Sequence, residues 1–182
     1  ITCFSPIASH SNLWYTDGII INTHHMTNNT WAHIAFHGAA GDVTGANFLL
    51  TINDRKILVD CGLSQGDMDD NAKNNIPFAY NPADIAILIV THAHTDHIGR
   101  IPKLVRDGFR GVIYSTAPTR DIAELMFADA LSLMKHDFEE HNTEPLYDDN
   151  DIAHALGLWK VIPYHSHIDL GNSVSGKFYD AG

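Results

Sequence analysis

The sequence predicts an α/β fold, and three stretches carry that expectation. Ile85-Ala86-Ile87-Leu88-Ile89-Val90 is an unbroken apolar run rich in β-branched residues. Such a run is the pattern of a strand buried on both faces, in a sheet covered by helices. Trp31 to Val59 reads as a succession of strands with no helix between them. Thr116 to about His141 has the length and apolar spacing of one long helix. At 182 residues the chain fits one domain with a core of its own.

Residues 1–29 show no convincing period and hold one apolar cluster, Gly18-Ile19-Ile20-Ile21. They are expected to be a leader outside the domain, with Met26 as a candidate true start. From Trp31 the pattern tightens, and Trp31–Phe36 reads as a strand. The glycine-rich turn His37-Gly38-Ala39-Ala40-Gly41-Asp42-Val43-Thr44-Gly45 follows. Asn47–Ile52, the turn Asn53-Asp54 and Lys56–Val59 then form a hairpin that ends in Asp60-Cys61-Gly62. Gly66–Asn75 is polar and acidic and is expected to be a surface loop.

Asn81-Pro82-Ala83-Asp84 leads into the buried run. Beyond it, Ile101, Leu104 and Val105 mark a short helix that Gly108 is placed to end. Gly111–Ser115 is a further strand. Thr116-Ala117-Pro118 offers an N-cap and a first-turn proline to the long helix. Its apolar face is expected to comprise Ile122, Leu125, Met126, Leu133 and Met134 with Asp129, while the methionines and Phe127 read as packing residues. Asp148 or Asp149 caps another helix through Leu156, closed by Gly157. Leu158–Tyr164, His167–Leu170 and Ser175–Tyr179 read as strands in a hairpin-like succession. There is no internal repeat and no low-complexity linker.

The net charge of −11 argues against broad attraction to phosphate backbones. A nucleic-acid role would have to come from a local site or a bound metal. Two cysteines, Cys3 and Cys61, cannot build a disulfide framework, which points to an intracellular, cytoplasmic protein. No apolar stretch approaches the roughly 20 residues of a membrane span. Of the 13 histidines, His92, His94 and His97 stand in a tight cluster; the others are scattered, many among polar residues.

That cluster is Thr91-His92-Ala93-His94-Thr95-Asp96-His97-Ile98-Gly99, which follows directly on the buried strand. His92 and His94 leave an extended segment on the same side and can share one ion. Asp96 and His97 come from the turn beyond and can aim at a second. Imidazole with carboxylate suits zinc, and no thiolate stands in the cluster. Two ions about 3.5–4 Å apart can share a hydroxide and clamp both oxygens of a displacement. Asp96 is also placed to orient an attacking water. A structural zinc is the plainer alternative, but such sites close with four ligands and often use cysteine.

Thr91–Gly99 resembles the signature motif of the metallo-β-lactamase superfamily, and Asp60 matches its first acidic motif. Gly38–Gly45, Asp60–Gly66 and the helix opening Thr119-Arg120-Asp121 further resemble the β-CASP nucleases that process RNA. The resemblance implies an αββα sandwich and zinc-dependent hydrolysis of RNA phosphodiesters, with RNA as partner. It implies His92 and His94 on one zinc, Asp96 and His97 on the other, and Asp60 orienting the site from behind. By the same pattern the next ligand is a histidine after Asp180-Ala181-Gly182. Residues 30–182 are therefore expected to be a partial domain cut before that third metal motif, binding fewer than two zincs and cleaving RNA poorly alone. His37 departs from the pattern, since relatives more often carry an apolar residue there. A small-molecule hydrolase of the same superfamily, of thioesterase or lactonase type, and a non-catalytic binding module are the alternatives.

Overall fold

The computed structural model describes residues 5–6, 13–16, 19–23, 32–41, 43–66, 70–171 and 174–180. Six strands form the first sheet: β4 (Ala32–Gly38), β5 (Asn47–Ile52), β6 (Arg55–Val59), β7 (Ile85–Ile89), β8 (Val112–Ser115) and β9 (Trp159–Val161), in that spatial order. The first three run antiparallel, and β6 to β9 are parallel neighbours. The hairpin turn between β5 and β6 has positive φ at both Asn53 (45°) and Asp54 (66°), as a tight two-residue connection requires.

The second sheet has the order β1 (Ser5–Pro6), β2 (Leu13–Thr16), β3 (Ile19–Thr23), β11 (Val174–Phe178) and β10 (Ile168–Gly171). The three strands at 5–6, 13–16 and 19–23 lie where the sequence showed no period. Of these, β3 pairs with β11, from Thr23↔Val174 to Ile19↔Phe178, and β2 and β1 follow outward from it. Short strands give too few alternations to read, and Ile19-Ile20-Ile21 alternates not at all. Trp31 and Met26 lie outside the described residues.

Alternation along the central strands divides the core in two. Phe48, Leu50, Ile52, Ile57, Val59, Ile87 and Ile89 pack toward Ile168, Leu170, Val174 and Phe178 of the second sheet. Leu49, Leu58, Ile85, Leu88 and Val90 face the helices. The Ile85–Val90 run is thus apolar throughout because both of its faces are covered.

The helix layer holds α2 (Thr95–Ile98), α3 (Ile101–Arg106), α4 (Ala117–His141) and α5 (Asp149–Gly157), while α1 (Asp70–Asn75) replaces part of the expected loop at 66–75. Helices, first sheet and second sheet supply three successive layers of the αββα arrangement. Asp148 caps α5 through a capping box with Asp151. Asn142 closes α4 in the left-handed conformation at φ 56°.

Two expectations need correction. The buried line of α4 is Thr119, Ala123, Phe127 and Leu131, whereas Ile122, Leu125 and Leu133 are 49, 71 and 61 % exposed. The inward line carries the small residues Thr119 and Ala123, so a line chosen by hydropathy alone falls on the wrong side. Met126 and Met134 do pack against the core. Likewise β9 joins β8 in parallel rather than pairing with β10, because α4 and α5 carry the chain over the first sheet before it returns.

Candidate metal centre

Because β6 and β7 are parallel neighbours, with Val59 opposite Ile89, the residues that follow them emerge side by side. Asp60 follows β6, and Thr91 opens the histidine motif just beyond β7. Asp60 holds a left-handed φ of 59°, which Asp and Asn tolerate better than most residues. Backbone bonds stitch the two loops together: Cys61 N to His97 O at 2.8 Å, Leu63 N to Thr95 O at 3.1 Å and Arg100 N to Cys61 O at 2.9 Å. The loops approach so closely at Gly62 that a Cβ there would collide with the Asp96 carbonyl.

The side chains are ordered by a single buried carboxylate. Asp60 is fully buried. Its Oδ1 accepts from Thr91 N at 2.8 Å, and its Oδ2 accepts from Thr91 Oγ1 at 2.7 Å and lies 2.8 Å from His97 Nδ1. A carboxylate only accepts, so the proton in that last bond sits on His97 Nδ1. The Thr91 hydroxyl spends its one proton on Asp60, so toward His92 Nδ1, 2.9 Å away, it acts as acceptor. His92 therefore also carries its proton on Nδ1. In the neutral imidazole form each ring then keeps its lone pair on Nε2.

Those lone pairs face further donors. His92 Nε2 lies 3.1 Å from His94 Nδ1, and His97 Nε2 lies 3.6 Å from Asp96 Oδ2. Ligand atoms at about 2.0–2.1 Å from a tetrahedral zinc stand roughly 3.3–3.4 Å apart, so each pair matches an edge of such a polyhedron to a few tenths of an ångström. Burial, with His97 beside it, holds His92 below the ordinary imidazole range and so in the neutral form a metal needs. Among the described residues, however, no group of three or more His, Cys, Asp or Glu side chains is arranged to hold an ion. The donors fit as two pairs, and each ion would need further ligands.

All five residues singled out in the sequence, Asp60, His92, His94, Asp96 and His97, are thus brought together. Sequence reasoning gave Thr91 no role, although its hydroxyl links Asp60 to His92. A hydroxyl residue between a buried strand and His-x-His was the available signal. Cys61 is no donor: burial pushes its thiol up to about 12.

The profile of the metallo-beta-lactamase superfamily matches residues 40–176. The chain belongs to that superfamily. Ribonuclease TTHA0252 of Thermus thermophilus is 39 % identical over 145 residues, which are 80 % of this chain and 31 % of the relative. Transcription termination factor FttA of Methanosarcina mazei is 31 % identical over 84 % of this chain and 23 % of its own length. Cleavage and polyadenylation specificity factor subunit 3-II of Arabidopsis thaliana is 29 % identical over 80 % of the chain and 24 % of its own. These relatives lie in the β-CASP branch that the loops at 38–45 and 60–66 resemble. The chain spans only 23 to 31 % of the length of these relatives. Among the described residues no helix is long and apolar enough to cross a membrane.

Proposed function

We propose that this metallo-β-lactamase chain serves zinc-dependent hydrolysis of RNA phosphodiesters. The observation that carries the reading is the Asp60–Thr91 arrangement, which protonates Nδ1 of His92 and His97 and aims two Nε2 lone pairs outward. Imidazoles held this way by a carboxylate are the usual ligands of catalytic zinc. His92 and His94 would hold one ion, and Asp96 and His97 the other. Bound zinc supplies Lewis acidity toward a phosphoryl oxygen and lowers the pKa of water.

The chain's own residues do the rest. Asp60 fixes the tautomers and, through Thr91, the orientation of His92. The Asp96 side chain is 24 % exposed and so accessible to water, whose proton it can accept. Cation binding would also offset, locally, the repulsion between a phosphodiester and a chain of charge −11. The names of the relatives, a ribonuclease and a cleavage factor among them, support RNA as the substrate.

Residues 1–182 alone, with two donor pairs, are expected to hold fewer than two zincs after dialysis and to cleave RNA poorly. Two tightly retained zincs per chain would contradict that. For the natural polypeptide that contains this chain, the test is zinc-dependent cleavage of a labelled oligoribonucleotide. Cleavage abolished by Asp96→Asn and His94→Ala is the expected result; cleavage indifferent to both substitutions overturns the reading.

A further inference from the structure

A cavity of about 330 Å³ lies beside the glycine-rich turn, lined by His37, Asn47, Lys73, Phe78, Tyr80 and Arg100 among others. It opens at the same end of the first sheet as the histidine motif, since Gly38 pairs with Asn47 and the next residue pair inward is Phe48 with Val59. Arg100 directly follows Gly99 of the motif, so one segment serves both places. The cavity is within the range of about 300–1,000 Å³ typical of small-ligand sites.

Its lining is unusual for so acidic a chain. Lys73 and Arg100 contribute two cations, and no described lining residue is a carboxylate. A neighbouring cavity of about 280 Å³, across Ser64, has the opposite character, with Asp137 and Glu144 and no cation. The side of the cavity built by Arg100, Phe78 and Tyr80 is also rigid. Arg100 stacks 4.3 Å above the Phe78 ring and donates from Nη2 to Ile76 O at 3.0 Å. Its Nε–H is buried with no acceptor. Tyr80 stacks on Phe78 at 5.4 Å, exchanges hydrogen bonds with Asn47 at 3.0 and 3.1 Å, and meets the His37 ring at 5.0 Å. The imidazole at 37, which departs from the pattern the glycine turn resembles, therefore completes a ladder of rings. Fixed rings beside a fixed guanidinium and a second cation are the chemistry that receives a base and its phosphate.

We propose that this cavity is a nucleotide subsite, with a phosphate between Lys73 and Arg100 and its base against the His37–Tyr80 ring pair. The proposal rests on the reading of the chain as acting on RNA. It places one nucleotide of the substrate beside the glycine turn, away from the reacting phosphate.

The test is a titration of the isotopically labelled chain with AMP, adenosine and inorganic phosphate, in chelator, followed by amide and Arg100 Nε–H resonances. AMP is expected to move Gly38, Ala39, Ala79 and the Arg100 Nε–H, and to bind at least about fivefold tighter than adenosine or phosphate. Lys73→Gln and His37→Ala, on the rim, should each weaken AMP by about three- to tenfold while leaving the spectrum native. Shifts that are absent, that centre on His92, His94 and His97, or that survive both substitutions overturn the proposal. Phosphate binding as tightly as AMP overturns it too, since the rings would then contribute nothing. No metal is present and no bond is cut in this measurement. RNA hydrolysis stands or falls separately on the Asp96 and His94 variants.

Discussion

Replacing Asp60 by Asn isolates what the buried carboxylate does. Asn tolerates the left-handed φ of 59°, so the backbone need not move, and the side chain keeps its size. The amide has one acceptor oxygen where the carboxylate has two. With that oxygen kept on Thr91 N, the amide nitrogen faces the Thr91 hydroxyl and His97 Nδ1, two donors that lose their acceptor. Each unmet buried donor costs about 1–3 kcal/mol, so a loss of about 2–6 kcal/mol is expected for the two. His97 can relieve its share by moving its proton to Nε2, but that nitrogen then no longer offers a lone pair toward Asp96. Stability and metal affinity are thus alternative ways to meet one deficit. Urea unfolding in chelator should give a lower midpoint at unchanged slope, and zinc titration against a competing chelator should show affinity falling about 10–100-fold. A variant within about 0.5 kcal/mol of the parent and with unaltered zinc affinity would refute the proton assignment.

Three further outcomes are expected. Gly62→Ala should cost about 2 kcal/mol or more and loosen zinc, because the new methyl meets the Asp96 backbone, which has no room to yield; a native unfolding midpoint would contradict this. Burial raises Cys61 to about 12 and drives Tyr80 and Tyr147 well above the ordinary phenol value of 10.0. Groups raised on folding contribute in full below their unfolded values and lose that contribution as pH climbs toward the folded ones. Stability should therefore fall above pH 9, by about 1.4 kcal/mol per pH unit from Cys61 alone, and equal urea midpoints at pH 8 and pH 10 would rule this out. On α4, Phe127→Ala should cost about 3–5 kcal/mol and Leu125→Ala under about 0.5 kcal/mol, and the reverse order in thermal melts would sink the assigned helix face.

What could be read from residues alone was what depends on local pattern. Ile85–Val90 announced a strand covered on both faces, and the two hydrophobic clusters on either side of β7 bear this out. Asp148 or Asp149 announced a helix start, and Asp148 is the cap, because such a side chain acts within three residues of itself. Thr91–Gly99 announced a cluster of donors, and the parallel pairing of β6 with β7 brings Asp60 to it. What escaped depends on partners remote in the chain. The buried line of α4 is decided by the sheet beneath it, so Ala123 outranks Leu125. Strand β3 owes its place beside β11 to a partner far along the chain, although its other neighbour, β2, lies just before it. The role of Thr91 required knowing that its hydroxyl has only one proton to give.

The pairing of Ile19–Thr23 with Val174–Phe178 bears on how the chain reaches its folded form. Those partners are separated by about 150 residues of chain, whereas β4, β5 and β6 meet through short turns. Closing so long a loop carries a large entropic cost before any contact rewards it, so such pairings tend to form late. The first sheet and its histidine loop can assemble early, around Leu49, Leu58 and Leu88, while the face of Phe48, Ile87 and Ile89 waits for the second sheet. Exchange of backbone amides should then follow a hierarchy, with β3 and β11 opening before β6 and β7. The donors at 92–97 sit on the part of the molecule that closes first and opens last.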